Sequence, residues 1–192
     1  MALTDSELIE KIQGGEKHHY SVIIARYKDK AYSLALRILG NPMDAEEALQ
    51  DAFVKTYNAL GKFEGRAKFS TWFYRIVYNT CVTKVNQRGP VYERLEYDDD
   101  REYTGTAMLH GSLVELNYET KDMIAFIKKI ILELPKKYGT ILTLFYLEEM
   151  THEELCEVLQ LPLGTVKAHL FRARTMLRER LLRDLGRDAA TA

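Results

Sequence analysis

The sequence predicts an all-α protein made of two small helical domains joined by a flexible acidic linker. Apolar residues recur at three- and four-residue steps through most of its 192 residues, which is the period of an amphipathic helix. Glycine and proline are scarce, at 11 and 4, which argues against a fold of many short strands and turns. The expected segments are a first domain over residues 1–88, a linker over 89–120, a second domain over 121–187 and a tail over 188–192.

Four helices are expected in the first domain. Thr4–Glu7 has the pattern of a capping box, in which the two end residues bond each other's backbone N–H groups, so the first helix begins there. A second, long amphipathic helix ends at Gly40-Asn41-Pro42, and Asp44 is expected to cap the third. The fourth runs from about Ser70 to about Arg88, after a basic, glycine-containing loop over residues 61–68.

The second domain is predicted to contain a helix-turn-helix. Helices are expected over 121–134 and 138–146, the latter with the pair Phe145-Tyr146 among its apolar positions. A second capping box, Thr151–Glu154, opens a short helix. Pro162 follows after a tight turn, in the first turn of a longer basic helix, where a missing N–H group is tolerated.

The overall composition excludes several classes of protein. Apolar residues make up 46% of the chain, too many for a fully disordered protein. No stretch approaches the ~18 uncharged residues that a membrane span needs, and the N-terminus lacks the basic and apolar regions of a signal peptide. Two cysteines make no disulfide framework, so we expect a cytoplasmic protein without direct membrane insertion.

Charge is sorted along the chain, although the net charge is only −1. Residues 62–88 hold six bases and one acid, 89–122 hold nine acids and three bases, and 162–187 hold seven bases and two acids. Two basic segments separated by an acidic one predict two anion-binding surfaces. The alternative is that these segments are ordinary solvated helix faces.

The basic helix after Pro162 has the pattern of a DNA-recognition helix. With Val166, Leu170, Ala173 and Leu177 inward, the outward side chains are mainly cationic, with Phe171 among them. A helix of this kind fits the major groove and presents its side chains to base edges and phosphates. A plain antiparallel bundle would look similar, but would rarely leave a phenylalanine on a cationic face.

The fourth helix has a polar face that includes one aromatic residue. Trp72, Arg75 and Asn79 lie on it, between two apolar stripes. Aromatic rings next to cations and amides suit unstacked single-stranded bases, because rings stack on bases and cations hold the backbone. From spacing alone, aromatic residues on a helix are more often part of the core.

Three stretches together resemble one protein family. They are DAEEALQDAFVKTY (44–57), KFSTWFYRIVYNTCVTKVNQR (68–88) and MTHEELCEVLQLPLGTVKAHLFRAR (150–174). In this order they resemble bacterial sigma factors of the extracytoplasmic-function (ECF) group, in which helical regions 2 and 4 are joined by a linker. The resemblance implies a non-enzymatic partner of core RNA polymerase that reads two promoter elements, assists DNA melting and is bound by an anti-sigma factor.

The resemblance also implies site residues. It assigns polymerase docking to Glu47, Gln50 and Asp51. Recognition and melting of the minus-ten element fall to Phe63, Lys68, Trp72, Arg75 and Asn79. Recognition of the minus-thirty-five element falls to Thr165, Lys167, Ala168, His169, Phe171, Arg172 and Arg174.

Some positions depart from the family pattern. Ala168-His169 replaces a common Ser-Arg pair, so Ala168 offers only a methyl contact and His169 lies nearer the core edge. Gln160 replaces a frequent turn glycine, which predicts slight strain. Thr83, Asn86 and Gln87 stand where many members have an Asp and an Arg-Arg pair, which leaves backbone contacts there in doubt.

Other functions find little support in the sequence. His18 and His19 are expected to point about 100° apart on a helix, which makes them a poor metal pair. No phosphate-cradling loop or nucleophile–base pair is recognisable, so we expect no enzyme activity, cofactor, metal or small-molecule substrate. The rival interpretations are a dimeric transcriptional regulator, with residues 1–88 as a ligand-binding or dimerising domain, and a helical adaptor that binds only protein.

Overall fold

The computed structural model describes residues 3–87 and 120–191, with side chains for 3–87 and 125–184. All regular structure in these two ranges is helical, which confirms the predicted fold class. The helices are α1 (Asp5–Gln13), α2 (Tyr20–Leu39), α3 (Pro42–Leu60), α4 (Phe69–Gln87), α5 (Thr120–Glu133), α6 (Lys136–Leu142), α7 (His152–Leu159) and α8 (Leu163–Thr191). The predicted linker lies almost wholly outside the described residues, and α8 extends into the predicted tail.

The N-terminal unit (residues 3–87) is built on α2, α3 and α4, with α1 packed against α2. Its core is aromatic where these helices meet: the Phe73 ring stacks on Phe53 and meets Tyr27 edge to face. Burial raises the pKa of the Cys81 thiol to about 12, so this cysteine is an unreactive packing residue.

Local signals place the helix ends well, with one exception. The capping boxes at Thr4 and Thr151 are both formed, and Gly40 ends α2 with the left-handed φ of 75° that glycine adopts without strain. The predicted cap of α3 was wrong. The Asn41 side chain accepts from the N–H groups of Met43 and Asp44, so the helix begins at Pro42 and Asp44 is buried in its first turn.

The C-terminal unit (residues 120–191) contains the predicted helix-turn-helix, α7–turn–α8. The inward stripe Val166, Leu170, Ala173 and Leu177 is buried, as expected. Gln160 has φ 58° and ψ 43°, the left-handed conformation for which a glycine would be better suited. The turn therefore carries the strain that the sequence predicted.

A π-helical turn over Thr143–Leu147 follows α6 and changes the direction in which the following side chains point. The extra residue in this turn moves Tyr146 out of the core, although Phe145 and Tyr146 were both expected to face inward. Their rings instead lie under the Arg174 guanidinium, at 4.9 Å and 5.7 Å from its carbon. The turn thus ties α8 to the segment before α7.

The two units pack against each other through α2 with α6 and through α4 with α7. The buried apolar residues of both units form one cluster, which includes Tyr74 of α4 and Leu144 of the π-helical turn. Among the described helices, none combines the length and apolar character that crossing a membrane requires.

Candidate nucleic-acid interface

The outer face of α8 carries most of the predicted upstream-element residues. Lys167 and Arg174 are exposed, and a further group is partly buried along the same face: Thr165, Ala168, Phe171 and Arg172. Two exposed cations with a partly covered phenylalanine between them suit a polyanion whose grooves also offer apolar contacts. The structure therefore leaves this face able to meet DNA.

His169 does not belong to this face. Its side chain is 2% exposed and its ring centroid lies 6.1 Å from that of Tyr138, inside the C-terminal unit. The sequence predicted that His169 lies near the edge of the core. In the structure it is buried beside Leu170, as part of the inward side of α8. His169 is therefore too buried to contact DNA, and the prediction for this residue was wrong. Arg174 remains exposed, yet it is already anchored over Phe145 and Tyr146.

The loop before α4 and the polar face of α4 meet in an aromatic cluster. The Phe63 and Trp72 ring centroids are 4.9 Å apart, and Phe69 lies 5.8 Å from Trp72. Phe63 and Trp72 are both partly exposed, while Phe69 is buried. The structure thus brings the loop residue Phe63 and the helix residue Trp72 together, with the Phe69 ring anchored in the core and the other two rings partly exposed.

A residue that the sequence did not single out holds this loop in place. The Gln13 amide nitrogen, at the end of α1, donates to the carbonyl oxygens of Leu60 at 2.9 Å and Phe63 at 3.1 Å. No sequence signal reveals this contact, because the partners are backbone groups about fifty positions away. Gln13 is a positioning residue for Phe63.

The cations of this surface lie at the boundary with the C-terminal unit. Lys68 Nζ is 2.9 Å from a carboxylate oxygen of Glu154, in α7. When the Gln160 amide oxygen faces Arg75, two guanidinium nitrogens donate to it at 3.2 Å. Asn79 continues the same face one turn beyond Arg75 and is partly exposed. The predicted minus-ten residues therefore form one surface, part of which is covered.

A separate polar face on α3 carries the predicted docking residues. Glu47, Gln50 and Asp51 are all exposed, and the Glu47 carboxylate pairs with Lys84 of α4 at 2.6 Å. The structure adds two apolar side chains to this face at helical spacing, Met43 at 79% exposure and Val54 at 60%. Large exposed apolar side chains beside acids are typical of a protein-binding surface.

The segment before α2 differs from its prediction. His18 and His19 lie in a 3₁₀ turn over Lys17–His19, not on an α-helix, and their ring centroids are 4.1 Å apart. Ligand atoms of Glu16, His18 and His19 fall within 4.8 Å of one another. The Glu16 carboxylate is already bonded to Lys11 and His19 at the surface, so we assign this cluster no metal.

Comparison with known proteins identifies the family. The model of Sigma-70 region 2 matches residues 23–90, and that of Sigma-70 region 4 matches residues 127–177. The ECF RNA polymerase sigma factor SigW of Bacillus subtilis is 35% identical, over 96% of this chain and 100% of its own. The chain belongs to the ECF sigma factors.

Other relatives agree with this assignment. The RNA polymerase sigma-H factor of Pseudomonas aeruginosa is 32% identical, over 96% of this sigma factor and 97% of its own length. A solved structure of CnrH in complex with the cytosolic domain of CnrY has the same fold, with a TM-score of 0.62 at 19% identity over 94% of this chain and 98% of that one. The α4 surface thus lies in region 2, and the α8 surface in region 4.

Proposed function

We propose that this sigma factor directs core RNA polymerase to promoters through three surfaces. The α3 face docks on the polymerase, the α4 surface with its loop captures the melted downstream element, and the α8 face reads the upstream element. The observation that carries the proposal is the presence of one cationic, aromatic-containing surface on each helical unit. A protein adaptor would leave both surfaces without a function.

For the downstream element, the aromatic cluster supplies the capture site. Trp72 and Phe63 present partly exposed rings above the buried Phe69, which fixes their positions. An unstacked base gains by stacking on such a ring, while Lys68 and Arg75 neutralise the strand's phosphates. Because stacking needs an open base, this surface favours the melted strand over the duplex.

For the upstream element, α8 is the recognition helix. Lys167 and Arg172 supply positive charge, and Ala168 and Phe171 supply apolar contacts to a thymine methyl group or the sugar edge. The capped helix α7 and the turn at Gln160 set the angle at which α8 leaves the unit. This arrangement matches duplex recognition, in contrast with the α4 surface.

We infer that docking uses more of α3 than its three polar residues. Met43 and Val54 lie on the same side of α3 as Glu47 and Asp51. More than half of the surface of Met43 and of Val54 is exposed to solvent. A partner that covers this stripe would bury apolar area at both ends and meet acids in the middle. The acids suit a basic region of the polymerase.

The remaining partners follow from the relatives. Two related structures are described as complexes, one with the cytosolic domain of CnrY and one with the anti-sigma factor NepR of Bartonella quintana. By analogy we propose an anti-sigma partner for this chain. We also propose that it acts in the cytoplasm and performs no catalysis of its own, since the polymerase carries out the chemistry.

The rival function is a transcriptional regulator that binds its operator alone, as a dimer. The docking surface distinguishes the two. A double variant, Gln50→Ala with Asp51→Lys, is expected to weaken binding to core polymerase about tenfold or more, because it removes a polar contact and reverses a charge. The matched control is Glu10→Lys, the same loss of acid at an exposed position of α1.

Binding is measured by fluorescence anisotropy of the labelled chain, with circular dichroism to check helicity. Weakened binding for the double variant but not for the control supports the proposal. Unchanged polymerase affinity in a folded double variant would show that α3 is not the docking helix. A wild-type chain with no affinity for core polymerase would favour the regulator.

A further inference from the structure

The loop that carries Phe63 is tied to the end of α1 by a single side chain. The Gln13 amide nitrogen donates to the carbonyl oxygens of Leu60 at 2.9 Å and Phe63 at 3.1 Å. Both partners are acceptors, so the NH₂ group satisfies them with its two donors and adds no charge. A glutamate of the same length could only accept and would repel both carbonyls. Gln13 thus fixes two backbone groups at once.

The two carbonyls belong to the turn that leads from α3 into the loop. Leu60 is the last residue of α3, and its carbonyl also accepts from the Phe63 N–H at 3.1 Å. In the same turn the Lys62 N–H donates to the Ala59 carbonyl at 3.0 Å. Carbonyls at the end of a helix lack partners within the helix, so a donor from outside stabilises the turn. The Gln13 amide therefore fixes the backbone from which the Phe63 side chain extends.

Helix α1 is itself held in place, so Gln13 acts from a fixed position. Three inward side chains of this helix are buried in the core: Leu8, Ile9 and Ile12. At the start of α1, the Asp5 carboxylate accepts from Arg26 and Tyr27 of α2. Gln13 is exposed, so its side chain bonds the loop without being part of the core.

The Phe63 ring reaches the aromatic cluster at the start of α4. Its centroid lies 4.9 Å from that of Trp72 and 5.9 Å from that of Phe69. Between these residues the loop turns at Gly65, which has a φ of 71°. A loop that is ordered before binding has less conformational entropy to lose when its ligand arrives. The backbone position of Phe63 therefore affects how readily its ring and Trp72 act together.

We propose that Gln13 is a positioning residue for promoter melting, because its amide keeps the Phe63–Trp72 ring pair assembled before a base leaves the duplex. The pair then captures the base without first ordering the loop. Helix α1 thereby contributes to the affinity of the α4 surface for the melted strand. The proposal rests on the proposed function, because that function makes Phe63 and Trp72 the rings that capture the downstream element.

Trp72 is the only tryptophan in the sequence, so its fluorescence reports on the ring pair directly. Gln13→Met keeps the length of the side chain and removes both donors. We expect it to increase acrylamide quenching of Trp72 in the full-length chain, because a released Phe63 uncovers the indole. The control is Ser6→Met, the same new residue at an exposed position two turns earlier on the same face of α1. Gln13→Lys keeps a donor for the two carbonyls and should retain the wild-type quenching.

The functional test uses holoenzyme reconstituted with each variant and single-stranded DNA of the downstream element, selected from a random pool by the wild type. We expect Gln13→Met to weaken this binding about fivefold, the effect of one ordinary hydrogen bond on an equilibrium. In a Phe63→Ala background the same substitution should have no further effect, since its influence passes through Phe63. A general loss of stability would instead reduce binding equally in both backgrounds.

Increased quenching and weaker strand binding, with both effects absent in the Ser6→Met control and the second absent without Phe63, support the proposal. Unchanged quenching in Gln13→Met would show that the loop keeps its position without the amide, and this overturns the proposal. Equal losses of strand binding with and without Phe63 would overturn it as well.

The Phe63→Ala holoenzyme separates this inference from the proposed function. If Phe63→Ala alone does not weaken strand binding, the proposed capture site is wrong, and the role of Gln13 falls with it. If Phe63→Ala weakens strand binding and Gln13→Met does not, the capture site stands and only the positioning role of Gln13 is refuted.

Discussion

Trp72 combines two roles that a single substitution would confuse. Its ring packs on Phe63 and Phe69 and so supports the loop, and it is also partly exposed, so we propose that it offers a face to a base. We expect Trp72→Ala to reduce promoter opening by the equivalent of ~1–3 kcal/mol, the usual cost of losing one stacking platform. Trp72→Phe keeps a ring at the site and should lose less.

A template with a pre-melted bubble separates capture from folding. Opening is followed by the fluorescence of a base analogue in the downstream element, on duplex and on bubble templates. A capture and melting role predicts that the bubble restores most of the activity of Trp72→Ala. Equal losses on both templates, with a lowered melting temperature, would assign Trp72 to the core instead.

Lys167 is an exposed cation on the recognition helix and the simplest candidate for a phosphate contact. Lys167→Ala is expected to weaken holoenzyme binding to all upstream sequences alike and to reduce the slope of log affinity against log salt by about one. Lys28→Ala, at an exposed position of α2, is the control. A change in preference at one base pair, with the salt slope intact, would show that Lys167 reads a base.

His169 shows why the sequence predicted this face only in part. The period of α8 correctly placed Val166, Leu170 and Ala173 inside. However, it does not give the width of the buried stripe, which depends on what packs against it. Tyr138 of α6 covers the side on which His169 lies. That contact joins two helices, and no local pattern encodes it.

At the scale of elements, the turn between α7 and α8 carries conformational strain at Gln160. Glycine adopts φ 58° without the Cβ clash, so Gln160→Gly is expected to stabilise the chain by about 0.5–1 kcal/mol in chemical denaturation. Because Gln160 also faces Arg75, the substitution is compared in an Arg75→Ala background. Destabilisation in that background would show that the turn is not strained.

The helix ends and the buried faces of the helices were predictable wherever residues close together in the sequence determine them. Both capping boxes follow from residue types three positions apart, and Gly40 marked its helix end correctly. The π-helical turn at Thr143–Leu147 was not predictable, because its residues suit an α-helix. The π-helical turn is favoured by the packing of Phe145 against Arg174 of α8, which is again a contact between two elements.

At the scale of the whole molecule, the sequence predicted two units but not their contact. Charge sorting and the loss of periodicity after residue 88 suggested independent domains. The boundary instead depends on single residues far apart in the chain, such as Arg37 with Leu132 and Tyr74 with Glu148. Neither pair has a sequence signature, since each residue is ordinary for its helix.

We expect Glu148 to make the closed arrangement, in which the two units pack against each other, sensitive to pH. Burial raises the pKa of its carboxyl, although Tyr74 and Lys30 act in the opposite direction and Glu149 adds to the rise. Tyr27 of α2 also faces it. A raised pKa means that Glu148 favours the closed form fully below its ordinary value of 4.5, and that this contribution is lost as pH rises through the raised value.

We therefore expect the closed fraction to fall as pH rises above 4.5 and through the raised pKa of Glu148, and Glu148→Gln to flatten that dependence. Burial alone would raise the pKa of Glu154, but Thr151 and Lys68 hold it below the ordinary value, so its contribution is lost only at more acidic pH. Small-angle X-ray scattering across the pH series provides the measurement. A closed fraction that rises over this span, or an unchanged profile for Glu148→Gln, would contradict the assignment.

We propose that this sigma factor opens promoters only together with core polymerase. Permanganate reactivity of thymines measures it most directly, on a promoter selected from randomised DNA by transcription with the reconstituted holoenzyme. We expect reactive thymines in the downstream element when core polymerase and this chain are both present, and none with either alone. Reactivity that does not depend on the chain, or protection of an operator by the chain alone as a dimer, would contradict it.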